Sequence, residues 1–311
     1  MIYKKFILNF FVFIAVLLAL DYACGSVLEY FFYKQKTGPD YQITNTISAA
    51  NQDVMIFGNS RAQAHYNDSI ISKDLSLSCC NAGLTGGYSI FFPSFEIAQV
   101  LKRHHPKVIV YELSPFTLGY WQGDYDRLSV LTPYINKFPD SKELILMKGN
   151  NEQIKILSKT YLFNSRIHLI VLYTLFQNRF KNVKGFMPIK GLKFDINKCE
   201  VNPFSQYIGI DDNKVKILQK TIDLCKRENV TLIFVNSPFY HSNQIVQSKA
   251  YSKTMSILKE NNCNYIDMSN DTIFMSKTDL FANQLHLNTQ GANLFSTILS
   301  QKIKLTLENN K

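Results

Sequence analysis

Ser60 is the residue of this sequence best placed to act as a nucleophile. It follows the apolar run Val54 to Phe57 and the pair Gly58-Asn59, and it precedes Arg61-Ala-Gln-Ala, which favours helix. This pattern predicts a buried strand, a tight turn and a helix N-terminus. The first N–H groups of a helix are unpaired, so they can stabilise an anion that forms beside a serine oxygen. The alternative is that Ser60 only caps the helix, because serine is a common N-cap.

A histidine near the other end of the chain is the candidate base. The sequence there reads Asn283-Gln-Leu-His286-Leu-Asn288-Thr-Gln-Gly-Ala292. The Gly-Ala pair falls in the first turn of a predicted helix, so His286 lies in the preceding loop and can point into a cleft. A serine hydroxyl is a poor nucleophile until a base takes its proton. The two segments together therefore suggest acyl transfer.

Strands and helices alternate in two blocks of the chain, and this alternation must position the two candidates. Apolar runs predict strands at 54–57, 75–81, 108–113, 231–235 and 264–268. Amphipathic patterns predict helices after residue 60, at 88–103, 211–229 and 248–261, and from about 288. Such alternation builds a parallel sheet with right-handed crossovers. We predict an α/β fold with three layers, α/β/α, in which the middle layer is a mostly parallel, flavodoxin-like sheet of about five strands.

Residues from about 116 to 206 do not keep the alternation and need structure of their own. The segment is rich in aromatic residues, and its patterns predict helices around 141–158 and 164–181. Ile167 to Phe176 is apolar but too short to span a bilayer, which indicates a buried or interfacial helix. An insertion after a sheet strand can form a lid or a substrate wall, or it can be structural padding.

A glycine-rich loop completes the set of motifs. Three glycines between residues 83 and 87 mark a place where the backbone turns sharply or approaches a ligand closely. With the Gly58-Asn-Ser60-Arg turn and the His286 segment, the chain resembles the SGNH or GDSL-like hydrolase superfamily, in outline over residues 53–115 and 207–305. The His-Leu-Asn-x-x-Gly-Ala run is the more specific part of this match.

The resemblance implies Ser60 as nucleophile, His286 as general base, and the Ser60 and Gly83 N–H groups as oxyanion donors. Membrane-anchored exported members of this superfamily are similar to proteins that add or remove acyl groups on cell-envelope polysaccharides. The resemblance thus implies an esterase or O-acyltransferase that acts on an acylated glycan or an acyl donor, with no metal or cofactor. The alternatives are a catalytically silent accessory or glycan-binding protein of the same fold, and a peripheral scaffold.

One departure from the family pattern concerns the partner of the histidine. The family commonly places an aspartate three residues before it, and here Asn283 stands at that position. An amide oxygen can accept the imidazole N–H and fix the tautomer, but it cannot neutralise the imidazolium that forms during attack. Asp279 and Glu112 are the acids that can take the role instead.

The second departure concerns the third oxyanion donor. The family usually supplies an asparagine after the central strand, where this chain has Ser114-Pro115, and Asn236 after the next strand is the substitute candidate. Arg61 either binds an anionic substrate group or forms a salt bridge on its helix. His65, one turn further, is expected to be a packing residue rather than a second base. His104 and His105 are expected to be exposed.

The N-terminus predicts a membrane anchor. Lys4 and Lys5 precede an apolar run, Phe6 to Leu20, that Asp21 closes. The run reaches spanning length if Asp21 lies at the far interface, and the lysines then stay in the cytoplasm. We predict an uncleaved anchor that leaves the rest of the chain in the periplasm or on the cell surface. A cleaved signal peptide, a lipid-modified Cys24 and a buried helix of a soluble protein are the alternatives.

These patterns divide the chain into three parts. We predict an anchor and following helix at 1–33, a polar connection at 34–52 and the SGNH-like domain at 53–311, with the insertion at about 116–206.

The amino-acid composition limits the classes of partner and bound group that we expect for this protein. The net charge is +10, but the 34 Lys and Arg are dispersed without a basic block, so we expect no nucleic-acid partner and a basic exterior that faces anionic lipids or acidic glycans. The six cysteines include no Cys-x-x-Cys, which argues against a metal or redox site, although one disulfide is compatible with export. Cys225 lies on an apolar stripe and is expected to be a buried thiol.

Overall fold

The computed structural model describes residues 2–86, 89–177, 185–190, 194–200, 204–240, 248–275 and 277–309. Within these ranges the helices are α1 (Ile2–Lys34), α2 (Pro39–Ser48), α3 (Ser60–His65), α4 (Asp68–Leu75), α5 (Phe91–Leu101), α6 (Gln122–Asp126), α7 (Ser141–Leu146), α8 (Glu152–Lys155), α9 (Tyr161–Asn164), α10 (Ile167–Leu175), α11 (Asp212–Arg227), α12 (Lys249–Glu260) and α13 (Thr289–Asn309). Short 3-10 turns cover Arg127–Tyr134, Ile196–Lys198 and Thr278–Leu280.

The strands are β1 (Val54–Phe57), β2 (Cys79–Asn81), β3 (Val108–Glu112), β4 (Thr231–Asn236), β5 (Asn264–Asp267), β6 (Phe281–Asn283) and β7 (His286–Leu287). The first five form one sheet in the order β2-β1-β3-β4-β5, and every pair in it is parallel. The last two form a separate antiparallel ribbon. The predicted α/β fold with a parallel sheet of about five strands is confirmed.

The chain divides into two compact units, residues 1–44 with 125–182 and residues 45–124 with 183–311. The second unit contains the whole sheet. Alternate residues of β1, β3 and β4, such as Val54, Val110 and Ile233, pack with α3, α4 and α13 in one core. The intervening residues are also buried, and Tyr111 donates its hydroxyl to the carbonyl of Ile90 just before α5. Burial on both faces explains why these strands read as continuous apolar runs.

The second strand is shorter than predicted. Residues 75–81 were expected to be extended, but Leu75 ends α4 and the strand begins at Cys79. Asn67 caps α4 by accepting the N–H groups of Ser69 and Ile70, and Ser76 ends it in the left-handed region at φ 54°. A capped helix that buries Ile71 in the core therefore extends into the segment assigned to the strand.

The first unit contains α1 and the helical insertion. In place of two long insertion helices, the chain forms the short helices α7 to α10, and the last residues of the predicted 164–181 helix lie outside the described ranges. Within this unit Phe32 of α1 packs against Tyr134 and Phe163 at ring-centroid distances of 5.4 and 5.6 Å. α10 buries Ile170 and leaves Val171 and the residues that end the helix exposed.

The helix α1 is, by length and composition, able to cross a membrane. All six cysteines are free thiols, so the structure contains no disulfide, and Cys225 is buried as expected. Burial raises the pKa of the Cys225 thiol to about 12. Among the described residues, no group of three or more His, Cys, Asp or Glu side chains is close enough together to hold a metal ion.

Candidate active site

The turn between β1 and α3 presents the Ser60 side chain. Gly58 has φ +150°, and a Cβ there would lie 2.8 Å from Glu112 Cβ and 2.9 Å from Ala62 Cβ. Asn59 is the N-cap, because its side-chain oxygen accepts the Arg61 N–H at 2.9 Å. The alternative in which Ser60 caps the helix is therefore wrong. Its hydroxyl is left for other contacts.

The second part of the site is the ribbon of β6 and β7, which closes on a tight turn. Asn283 Oδ1 accepts the backbone N–H groups of Leu285 and His286, each at 3.0 Å, and lies 3.0 Å from His286 Nδ1. The two backbone donors fix the amide, since a rotated side chain would put its NH2 against both of them. The oxygen therefore faces the ring, and Nδ1 carries the proton.

Ser60 and His286 meet across 226 positions of sequence. His286 Nε2 lies 2.9 Å from Ser60 Oγ. Because Nδ1 is the protonated nitrogen, Nε2 has its lone pair directed at the hydroxyl. This is the arrangement in which an imidazole can remove the proton of an attacking serine.

The electrostatic surroundings keep His286 neutral. Burial, and secondarily the positive charge of Arg61, lower its pKa to about 4. The imidazole is therefore an unprotonated base at neutral pH. The same surroundings disfavour the imidazolium that proton transfer creates, and the neutral amide of Asn283 does not offset this.

The short segment that carries His286 is positioned by α13. Asn288 accepts the Gly291 N–H at 3.0 Å and donates to the backbone carbonyl of Asp279 at 2.6 Å. A Cβ at Gly291 would lie 2.2 Å from the Leu280 carbonyl oxygen, so only glycine lets α13 begin this close to the chain. These contacts explain the His-Leu-Asn-x-x-Gly-Ala sequence in physical terms.

A second histidine joins the His286 segment to the core. His65 Nε2 accepts the Leu287 N–H at 3.0 Å, and His65 Nδ1 lies 2.8 Å from Ser237 Oγ. Ser237 in turn donates to Glu112 Oε1 at 3.0 Å. Because the Leu287 N–H can only donate, His65 Nε2 is the acceptor and carries no proton. His65 Nδ1 therefore carries the ring proton and donates it to Ser237 Oγ. His65 is fully buried and burial holds its pKa well below the usual range, so it acts in packing, as expected, and not as a base.

Arg61 and Glu112 form a buried ion pair. Arg61 Nη2 lies 3.1 Å from Glu112 Oε1, and both side chains are almost fully buried. The guanidinium also donates to Asn236 Oδ1 at 3.1 Å and to the Ser237 carbonyl, and it lies over the Phe239 ring. Arg61 therefore pairs in the interior rather than on the helix surface, because a buried charge needs partners at this depth.

Two further residues that were predicted to serve the site have their contacts elsewhere. Glu112 is bonded to Arg61, Ser237 and the Tyr66 hydroxyl rather than to His286. Asn236 accepts from Arg61 and donates to Asp267 Oδ1 at 3.4 Å, so its amide is committed within the core. The contacts of Asn236 and Glu112 therefore support neither a third oxyanion donor at Asn236 nor an orienting role for Glu112.

The contacts of Asp279 and Gly83 also differ from those that their predicted roles require. His286 Nδ1 is held by Asn283, and the contact of Asp279 to this region is its backbone carbonyl on Asn288. The Gly83 N–H donates to Asn81 Oδ1 at 2.8 Å and so is not open to an oxyanion in this structure. The Ser60 N–H, at the start of α3, makes no hydrogen bond among the described residues.

The sequence analysis missed Ser237, and it included Asn81 in the glycine loop without giving its side chain a role. The Asn81 side chain donates to the carbonyls of Ala62 and Tyr66, both at 2.8 Å, and so ties the glycine loop to α3. Both residues stand at the carboxyl ends of parallel strands, where polar side chains converge. That position is the signal that would have singled them out.

Neither a protein-family model nor a curated protein matches the sequence. Among solved structures, the chain is similar to a Bacteroides fragilis protein described as a presumed acylhydrolase, at 11% identity and a TM-score of 0.40. The similarity covers 85% of this chain and 95% of that one. An identity and a TM-score this low support no inference about activity or substrate.

Proposed function

We propose that this protein is a serine esterase or O-acyltransferase in which Ser60 is the nucleophile, His286 the general base and Asn283 the residue that orients the base. The observation that carries the proposal is the 2.9 Å approach of His286 Nε2 to Ser60 Oγ, with the ring tautomer fixed by Asn283. A hydrogen bond of this length is the geometry that proton transfer from the nucleophile requires.

The first chemical step follows from that geometry. His286 Nε2 takes the hydroxyl proton while Ser60 Oγ forms a bond to the carbonyl carbon of an acyl ester. The carbonyl oxygen becomes the oxyanion, and the Ser60 N–H is the donor placed nearest to it. The imidazolium then gives its proton to the departing alcohol oxygen, the ester bond breaks, and an acyl-serine remains.

The second step decides between hydrolysis and transfer. If water gives its proton to His286 and attacks the acyl-serine, the product is a free acid. If a sugar hydroxyl gives its proton to His286 and attacks instead, the acyl group passes to the sugar. In both cases the bond from the acyl carbon to Ser60 Oγ breaks, and the imidazolium returns the proton to that oxygen. Both routes use the same residues, so the proposal includes both.

The resemblance and α1 together support a proposal about the substrate and the location. We propose that an acyl group on a cell-envelope polysaccharide is the substrate or the product, and that the unit with the sheet lies outside the cytoplasm. The net charge of +10 suits a surface that faces acidic glycans or anionic lipids.

A fluorophosphonate probe tests the reaction directly, since it phosphonylates only an activated serine. We expect labelling of the full-length protein, loss of labelling in Ser60→Ala, and strong reduction in His286→Gln. Ser205→Ala removes an exposed hydroxyl elsewhere and is the matched control, expected to label like the parent.

The competing function is a silent accessory or glycan-binding protein that keeps the fold. Asn283 in place of an acid is the observation that favours it. Folded protein that is never labelled at Ser60, yet binds acylated polysaccharide, would replace the enzyme proposal with this one.

A further inference from the structure

The exposure of α1 changes abruptly at Asp21. Residues 3–20 are exposed throughout, whereas from Asp21 onward the helix packs within its own unit, with Gly25 and Phe32 buried. Eighteen helical residues rise about 27 Å, close to the ~30 Å hydrocarbon core of a bilayer. The exposed part of α1 therefore has the length of one membrane crossing, and Asp21 stands at its end.

Asp21 organises the turn at residues 158–160. Its carboxylate accepts the Ser158 hydroxyl at 2.6 Å, the Lys159 N–H at 2.7 Å and the Thr160 N–H at 3.1 Å. The Thr160 hydroxyl donates to the Asp21 carbonyl at 3.0 Å. This carboxylate thus satisfies two backbone donors and one side-chain donor of the insertion.

Lys159 continues the attachment further along the helix. Its ammonium pairs with Glu29 at 2.9 Å and donates to Ser26 at 2.9 Å. A Cβ at Gly25 would lie 2.6 Å from the Lys159 backbone, so glycine allows this close approach. The second half of α1 is built into the fold of its unit.

The insertion runs along α1 in a fixed direction. Residues 158–160 lie at Asp21, and Phe163 packs on Phe32, about three turns further from the exposed part. Ser158 thus lies beside the end of the exposed stretch of α1, and the residues just before it lead away from that point. Two of these residues have large apolar side chains that are exposed to solvent: Leu157 is 81% exposed and Ile154 is 71% exposed.

We propose that α1 is retained as a membrane anchor and that the segment from Glu152 to Thr160 rests on the outer lipid surface of the same bilayer, with Ile154 and Leu157 inserted among the lipid headgroups. The partner is a phospholipid bilayer, because these side chains adjoin the end of a segment of spanning length. Lys155, between them, is exposed and its ammonium pairs with Glu152 at 2.9 Å. This inference does not depend on the reaction at Ser60.

The proposal also separates the three readings of the N-terminus. Cleavage anywhere after Asp21, at a signal-peptide site or before a lipid-modified Cys24, would remove the Asp21 carboxylate. The N–H groups of Lys159 and Thr160 would then lose their acceptor. A retained α1 avoids that loss.

Tryptophan quenching tests the lipid contact. The chain has one tryptophan, so Trp121→Phe gives a silent background for single Leu157→Trp and Ile154→Trp variants of the full chain. Each is reconstituted in phosphatidylcholine and phosphatidylglycerol vesicles with lipids brominated near the headgroup end of the acyl chain. Leu17→Trp, within the spanning stretch, is the positive control. Leu305→Trp, on an exposed face of α13, is the negative control.

We expect the variants at 154 and 157 to be quenched like the positive control and to lose that quenching when Asp21→Ala is added. The intact mass of protein extracted from membranes should include residues 2–34. Quenching at 154 and 157 no greater than at 305, in vesicles where the Leu17→Trp signal is quenched, would overturn the lipid contact. A mass that lacks the first twenty residues would overturn retention of the anchor.

Discussion

Asn283 Oδ1 and His286 Nδ1 are 3.0 Å apart, and the same oxygen accepts two backbone N–H groups of the turn between them. A carboxylate at position 283 would make the same contacts and add a negative charge. Asn283 therefore orients His286 as a carboxylate would, but it brings no negative charge to the site. The absence of this negative charge determines how the pKa of His286 should change when position 283 is substituted.

The first prediction concerns pH. Burial and the charge of Arg61 both disfavour the imidazolium, so the pKa of His286 is lowered to about 4. Since the neutral ring is the active base, kcat/KM for an acyl ester such as p-nitrophenyl acetate should fall as pH drops through about 4 and stay level at neutral pH. Circular dichroism at each pH separates this limb from acid unfolding. An acid limb near 6.5 in folded protein would contradict the assignment.

The second prediction is that Asn283→Asp makes His286 more basic. An adjacent carboxylate favours the imidazolium and should move the acid limb upward by about 1 to 3 pH units. We also expect kcat to rise about tenfold, because the charge that forms during attack is now offset. Gln284→Glu adds the same charge in the same turn away from Nδ1 and serves as the control. An unchanged pH profile in Asn283→Asp would exclude position 283 as the orienting site.

The third prediction concerns His65 as a positioning residue. In His65→Ala the buried Leu287 N–H loses its acceptor, which costs about 1–3 kcal/mol. The melting temperature and the labelling rate of Ser60 should both fall. His65→Gln returns an acceptor oxygen and should recover part of both, whereas His105→Ala, at the surface, should change neither. Wild-type labelling in a destabilised His65→Ala would show that this histidine does not position His286.

The fourth prediction tests the buried ion pair. Glu112→Gln leaves the Arg61 guanidinium without its charged partner, and the free energy of unfolding in urea should fall by about 3–5 kcal/mol. Glu228→Gln removes a carboxylate that pairs with His105 at the surface, and it should leave the unfolding midpoint unchanged. Equal midpoints for the two variants would mean that the interior pair contributes nothing.

The fifth prediction concerns the glycine loop. A Cβ at Gly83 would lie 2.4 Å from the Gln63 backbone nitrogen and 2.7 Å from Ala62 Cβ. Gly83→Ala must therefore displace the loop from α3, which should cost about 1–3 kcal/mol and slow labelling of Ser60. Gly149→Ala, where a Cβ meets nothing within 4 Å, is the control and should melt like the parent. A Gly83→Ala protein with parental stability would show that the loop relaxes freely.

Local patterns in the sequence determined the elements. Continuous apolar runs predicted β1, β3 and β4, and apolar stripes predicted α11 and α13, because these periods directly reflect which residues face a core. The same logic failed at β2, where α4 continues to Leu75 and the strand begins only at Cys79. It also failed in the insertion, where the short helices α7 to α10 replace two long ones and where α9 and α10 pack against α1.

Only the tertiary structure decided which polar groups meet. Ser60 and His286 are separated by 226 positions, and Arg61 and Ser237 by 176, so no local pattern pairs them. Asp279 and Asn283 both precede His286 within one short segment of sequence. The turn of the β6–β7 ribbon brings the amide to the ring, whereas Asp279 accepts a hydrogen bond from Asn288 through its backbone carbonyl. The sequence thus named the candidate nucleophile and the candidate base, while the convergence of strand ends and one tight turn determined which residues contact them.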